Sequence, residues 1–332
     1  MGHHHEVKAT VTPGGGLFGP QSITWRVHTE TPAWPAVLRA FQLQALHPRT
    51  IRGIAQNCLL DDPEVAHARL RHHLDLLAVR TFGTREQAEH AYERVRGLRA
   101  RLRGLDPGTG TLFRLDEQEN LRWAHCAEVS SHLEVARRSG VRLSAAERDA
   151  YVAEQRRVAL LAGLADAPGD TAELDACVDA LRPGLAATEE ARRAVRRSVS
   201  PVLPLRLDLL TQPLALLTRP LGFFTEPLAL LTRPLGFFTE PLALLARPLA
   251  IGSLPAAGAL AFATLPGWAR RMYGCHGGQA ADHAAGYAAG TMLKALRAAS
   301  LALPERLVVP EISAARGLMR AVTEASGADV AA

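Results

Sequence analysis

Apolar residues recur at three- and four-residue intervals along most of this chain and almost nowhere alternate with polar ones, a pattern that predicts helices. In one stretch, Leu121, His125, Val129, Leu133 and Ala136 share a single stripe, while Glu119, Glu134, Arg137 and Arg138 lie mostly off it. Asp116 with Glu119 has the form of a capping box, and Gly140 stands where a left-handed stop belongs, so a helix is predicted over 118–138. His125 then points where aliphatic side chains point. A buried imidazole must satisfy its ring nitrogens, and two answers stay open from the residues alone: a metal, or a structural hydrogen bond such as one to a buried carbonyl.

The same reading gives the rest of the chain. Ala36 to Gln56 has apolar residues at helical spacing but is interrupted by His47-Pro48, which predicts two helices meeting at His47. A helix over 63–80 carries Leu70, His73, Leu74 and Leu77 on one stripe, with Arg69 one turn before His73. Thr84 with Gln87 caps a helix ending near Gly104, and Asp106 to Gly110 is a turn cluster. Ser144 with Glu147 opens a helix through about residue 161, and shorter ones follow over 171–182 and 188–199. Two more are expected over 278–300 and 310–326. No convincing period-two strand run occurs. The expected fold is all-α: a flexible arm over 1–20, a helical core over 21–210, an insertion over 211–252, and C-terminal helices over 253–332 that complete the same domain.

The insertion differs in kind. Thr-x-Pro-Leu recurs every seven residues from Thr211, and one fourteen-residue unit occurs twice unchanged, at 218–231 and 232–245. Proline at every seventh position costs a continuous helix about 3 kcal/mol each time, so short turns or a broken helix are expected. Arg219, Glu226, Arg233, Glu240 and Arg247 argue against a membrane span, although the repeat suits peripheral contact with a membrane surface or an apolar substrate. The uncharged run over 248–269 contains Pro248, Pro255 and Pro266 with Gly252 and Gly258 and reads as a buried helix with loops.

Composition narrows the function classes. The net charge is +5, yet all but two of the 38 basic residues are arginines scattered among acids, without the basic tract and interleaved aromatics of a nucleic-acid binder. Cys58, Cys126, Cys177 and Cys275 form no CxxC pair and read as buried thiols of a reducing compartment. The polar N-terminus lacks the apolar run of a secretory leader, so a cytoplasmic location is expected. No P-loop, GxSxG or HExxH occurs, and His72 and His73 point too far apart on a helix to share one zinc. His28, His47, His67 and His90 are isolated and read as surface or capping residues.

Seven segments in order carry a further resemblance: Trp25-Arg26-Val27-His28, Leu43-Gln44-Ala45-Leu46-His47-Pro48, Arg69-Leu70, Thr81-Phe82-Gly83-Thr84, Arg122-Trp123-Ala124-His125-Cys126-Ala127-Glu128-Val129, Arg148 to Gln155, and Leu265-Pro266 with Tyr273-Gly274. Over about 21–275 the chain resembles the MpaB and rubber oxygenase family, which includes latex clearing protein. The resemblance implies an all-helical, globin-like core holding haem b, and dioxygen-dependent cleavage of carbon–carbon double bonds in isoprenoid chains. Arg122-x-x-His125 matches the family's haem-ligating helix, which implies that His125 is the proximal iron ligand. The family's distal Arg-Leu-x-x-Thr is matched by Arg69 to His73, with His73 replacing the threonine, and Arg99 stands where relatives have histidine. By this resemblance His73 either bonds bound oxygen, ligates iron as a sixth ligand or is a tolerated core substitution. Arg69 and Arg122 are candidates to pair with haem propionates.

The expectation is therefore a haem b-dependent oxygenase acting with dioxygen on an apolar, isoprenoid or polyketide-like small molecule or polymer. The alternative is a helical haem-binding or interaction protein without turnover.

Overall fold

The computed structural model describes residues 16–58, 63–199, 254–275, 278–302 and 310–330, so the repeat over 211–252 and most of the N-terminal arm lie outside the described residues. Helices α1 (Ile23–Glu30), α2 (Ala33–Gln44), α3 (Pro48–Asn57), α4 (Pro63–Phe82) and α5 (Arg85–Arg101) lead into a small ribbon, β1 (Arg103–Leu105) and β2 (Leu112–Arg114). Then come α6 (Gln118–Arg138), α7 (Ala145–Ala162), α8 (Thr171–Leu181), a 3-10 turn (Arg182–Gly184) and α9 (Glu189–Val199). The C-terminal helices are α10 (Leu254–Ala263), α11 (Gly267–Met272), α12 (Gln279–Ala302) and α13 (Pro310–Val330).

Helix α6 is the axis of this bundle: its most extensive packing is against α2, and α1, α7, α8 and α12 cover its other sides. Its expected inward stripe is buried, with Leu121, His125, Val129 and Ala136 all inaccessible or nearly so. Its start differs from expectation. Glu117 is the N-cap and no side chain caps the helix, because Asp116 is bound to Arg114, while Glu117 accepts from the Arg114 N–H and from Arg49 at 2.8 Å. Its end is as expected: Gly140 adopts φ +83°, and the Val141 N–H reaches back to the Ala136 carbonyl at 3.0 Å.

Local capping rules hold elsewhere. Thr84 with Gln87 and Ser144 with Glu147 form complete capping boxes. His47 breaks the run as expected: its Nδ1 accepts from the Thr50 N–H at 3.3 Å, and Pro48 occupies the first turn of α3. The ribbon was not foreseen, since three residues per strand are too few for alternation to register. It closes antiparallel with Gly104 opposite Phe113, and a Cβ on Gly104 would meet the Phe113 ring at 2.2 Å, so only glycine lets that ring cross the strand and become buried.

Two tryptophans anchor the core. Trp123 of α6 packs among Leu43, Leu46, Leu185 and Leu265, and its indole N–H donates to the Leu43 carbonyl at 3.1 Å. Trp25 of α1 meets Phe82 edge-on and donates to the Thr81 carbonyl at 2.8 Å. Within the described residues of the uncharged run, Leu254–Ala263 form α10, which packs against α2 and α9. Helix α12 packs on α6, and α13 packs on α1 and α4. Among the described residues no helix is long and apolar enough to cross a membrane. The cysteines are less uniform than expected: Cys126 is buried, Cys58 and Cys177 are half-buried, and Cys275 is exposed.

Trp123→Ala should lower the free energy of unfolding by about 3–5 kcal/mol, since it leaves a cavity and removes the bond to Leu43. Urea unfolding measures this, and a loss below about 1 kcal/mol would show that the α2–α6 contact does not depend on this ring.

Candidate functional site

The site is built where α4 and α6 turn polar side chains toward one another. Along α4, Arg69, His73, Leu77 and Arg80 fall on one face, at spacings of a helical turn. Along α6, His125, Glu128 and His132 do the same. The two helices are joined by a buried ion pair between the Arg80 guanidinium and the Glu128 carboxylate, and a second nitrogen of Arg80 donates to the Tyr92 hydroxyl of α5 at 2.9 Å. Burial alone would raise the Glu128 pKa, yet the adjacent Arg80 outweighs it and holds the carboxylate at about 2. Burial likewise works against the Arg80 cation, and Glu128 and Tyr92 together raise its pKa above the ordinary value.

Four imidazoles surround this pair. His125 and His132 are both desolvated to a pKa of about 4, with Glu128 opposing and Arg80 reinforcing the shift, so each is neutral at pH 7. His28, expected at the surface, is instead buried beneath them and lowered well below its ordinary value, first by burial and then by His132 and Arg80. Its Nδ1 lies 2.9 Å from the Thr81 hydroxyl and its Nε2 lies 3.1 Å from the Tyr151 hydroxyl, so both ring nitrogens are satisfied. The His132 ring lies against that ring, tilted by 45° with centroids 4.7 Å apart. Among the described residues neither nitrogen of His132 has a partner, and neither has His125 Nε2, which is also buried. A neutral imidazole with an unpartnered inward Nε2 is a ligand or proton acceptor waiting for a partner.

The fourth imidazole, His73, keeps accessible surface yet is desolvated to a pKa of about 4, with Arg69, Glu128, His72 and Arg99 acting on it as charges. Arg99 is half-buried, and burial pulls its pKa down as well. His73 is exposed on α4, while Arg99 of α5 and Glu128 of α6 are half-buried, so the polar groups run from the surface at His73 inward to Arg80, Tyr92 and His125.

Of the residues singled out in the sequence, Arg69, His73 and Arg99 act together, and Glu128 links them to His125. Arg69 also donates to the Cys58 thiol at 3.1 Å. Arg122 is turned elsewhere: it bonds exposed Asp166 at 3.3 Å and acts on Cys126 and Cys177. The rings of His72 and His73 are 6.2 Å apart, and among the described residues no three His, Cys, Asp or Glu side chains converge on one metal position. Sequence reasoning missed Arg80, Glu128, His132 and His28. The first three had a signal, since Arg80 continues the His73 stripe and His125-x-x-Glu128-x-x-x-His132 shares one helix face. Two surface hollows of about 190 and 540 Å³ open beside Arg138 and Tyr287. Arg138 lies about 20 Å down α6 from His125 at 1.5 Å per residue, and the hollows hold none of this cluster.

The family model described as ER-bound oxygenase mpaB/B′/rubber oxygenase, catalytic domain, matches residues 25–298. That range covers more than four fifths of the chain and every residue of the α4–α6 cluster. No curated protein and no solved structure matches the chain. The chain therefore belongs to the mpaB/B′ and rubber oxygenase catalytic-domain family.

Proposed function

We propose that this protein is a haem b-dependent oxygenase that acts with dioxygen on an apolar, unsaturated isoprenoid or polyketide-like substrate, with His125 as the proximal iron ligand in a globin-like helical pocket. The observation that carries this reading is the buried, unpartnered Nε2 of a neutral His125 in a member of an oxygenase family. One iron–nitrogen bond would satisfy that atom, and depressed basicity keeps it in the ligating form. His132 also has unpartnered nitrogens but is 1% exposed and lies against His28, whereas His125 retains 9%.

Bound there, haem would supply the dioxygen chemistry, and the chain supplies placement and polarity. Arg69 is proposed to pair with a propionate, and so is Arg122 in exchange for its weak, exposed bond to Asp166. The neutral His73 imidazole is proposed to offer one donor and one acceptor nitrogen to the bound oxygen, with Arg69 and Arg99 as the cations that act on it. Buried aliphatic residues of α4, Leu70 and Leu77, would help to exclude water and favour an apolar substrate.

Expressed with haem supplied, the protein should show a Soret band that is lost in His125→Ala and kept in His132→Ala. Loss in the second variant alone would move the ligand to His132. Oxygen uptake on adding an unsaturated isoprenoid should accompany the haem-loaded protein and fall at least tenfold in His73→Ala with the Soret band retained. A haem-loaded protein that consumes no oxygen with any such substrate would favour the binding-module reading.

The buried imidazoles also set a pH dependence. His125 and His132 have folded pKa values of about 4, below the ordinary 6.5, so the unfolded chain binds protons first as pH falls. Stability is full above about pH 6.5 and declines toward pH 4. The urea midpoint of the unfolding transition should drop across that window, and a flat profile would show that the imidazoles are not buried.

A further inference from the structure

Helix α6 carries a second chemical group next to His125 that faces away from the imidazole cluster. Cys126 is fully buried, and its thiol donates to Cys177 of α8 with the two sulfurs 3.1 Å apart. The residues are 51 apart in sequence, and the α6–α8 packing brings them together. The two thiols differ in access: Cys177 reaches solvent and Cys126 does not. Arg122, one turn before Cys126, acts on both, with Asp166 opposing it at Cys177. The bond from Cys126, followed by Arg122, pulls the Cys177 thiol below its ordinary range, so negative charge develops on the sulfur that solvent can reach.

We propose that Cys126 and Cys177 form a reversible disulfide in response to hydroperoxides, with Cys177 as the oxidised thiol and Cys126 as the resolving one. The Cys177 thiolate attacks one peroxide oxygen, the O–O bond breaks, and hydroxide leaves to take up a proton as water. The product is a sulfenic acid on Cys177. The Cys126 sulfur then attacks that sulfur, an S–S bond replaces the S–O bond, and a second water departs with the Cys126 proton. Two electrons pass from the thiols to the peroxide. The sulfurs must approach by about 1 Å to reach the disulfide length of about 2.05 Å. Oxidation would tie α6 to α8 one residue from His125. Neither Cys58 nor Cys275 has such a partner sulfur among the described residues.

The test treats the full chain with hydrogen peroxide, blocks remaining thiols with iodoacetamide, and maps the products by mass spectrometry after non-reducing proteolysis. The expected product is a linked pair of peptides carrying Cys126 and Cys177, two hydrogens lighter than the reduced pair and released by dithiothreitol. In Cys126→Ser and Cys126→Ala, dimedone should label Cys177 as a trapped sulfenic acid. In Cys177→Ser it should leave Cys126 unlabelled. Exposed Cys275 reports that oxidant was present. A wild-type protein with oxidised Cys275 and no 126–177 link, or label on Cys126 instead of Cys177, overturns the proposal.

Discussion

The buried pairing of Arg80 with Glu128 is the constraint on which the centre of this protein depends. Each charge alone would be costly to hold in the interior, by several kcal/mol, and each is tolerated because the other, together with Tyr92, completes its bonding. The pair also cancels its own field at close range. His28, His125 and His132 remain neutral first because burial penalises their charged forms, and Arg80 reinforces this, opposing the pull of Glu128 on His125 and His132. Remove Arg80, and the buried carboxylate either takes a proton or charges an adjacent imidazole.

The apolar core holds the pair in register. The two buried indoles donate to backbone carbonyls beside the site: Trp25 to Thr81, next to Arg80, and Trp123 to Leu43 from a position two residues before His125. Each bond fixes the rotation of a helix that carries a polar member of the cluster. A slip of one residue along either helix would turn those side chains by about 100° and break the pair. Packing and electrostatics thus specify the same arrangement.

Helix α6 serves two kinds of chemistry by presenting different faces. Glu128 meets Arg80 of α4 and His132 meets His28 of α1, while Cys126 looks toward α8. A cysteine next to a proposed iron ligand therefore belongs to a separate environment, beside a thiol that reaches solvent.

The helical architecture was legible from the sequence because helix formation is local: the apolar period, the Thr84 and Ser144 capping boxes, the His47-Pro48 break and the Gly140 stop act within a few residues of themselves. The inward turn of His125 was legible for the same reason. The Asp116 cap failed because Arg114, two residues before it, holds its carboxylate, while Arg49 of α3 takes that of Glu117. What tertiary structure alone decided is partnership. Which cation meets Glu128, which imidazole lies against His132, and which sulfur meets Cys126 depend on helices separated by tens of residues, and side-chain period says which way a group points but not what it meets.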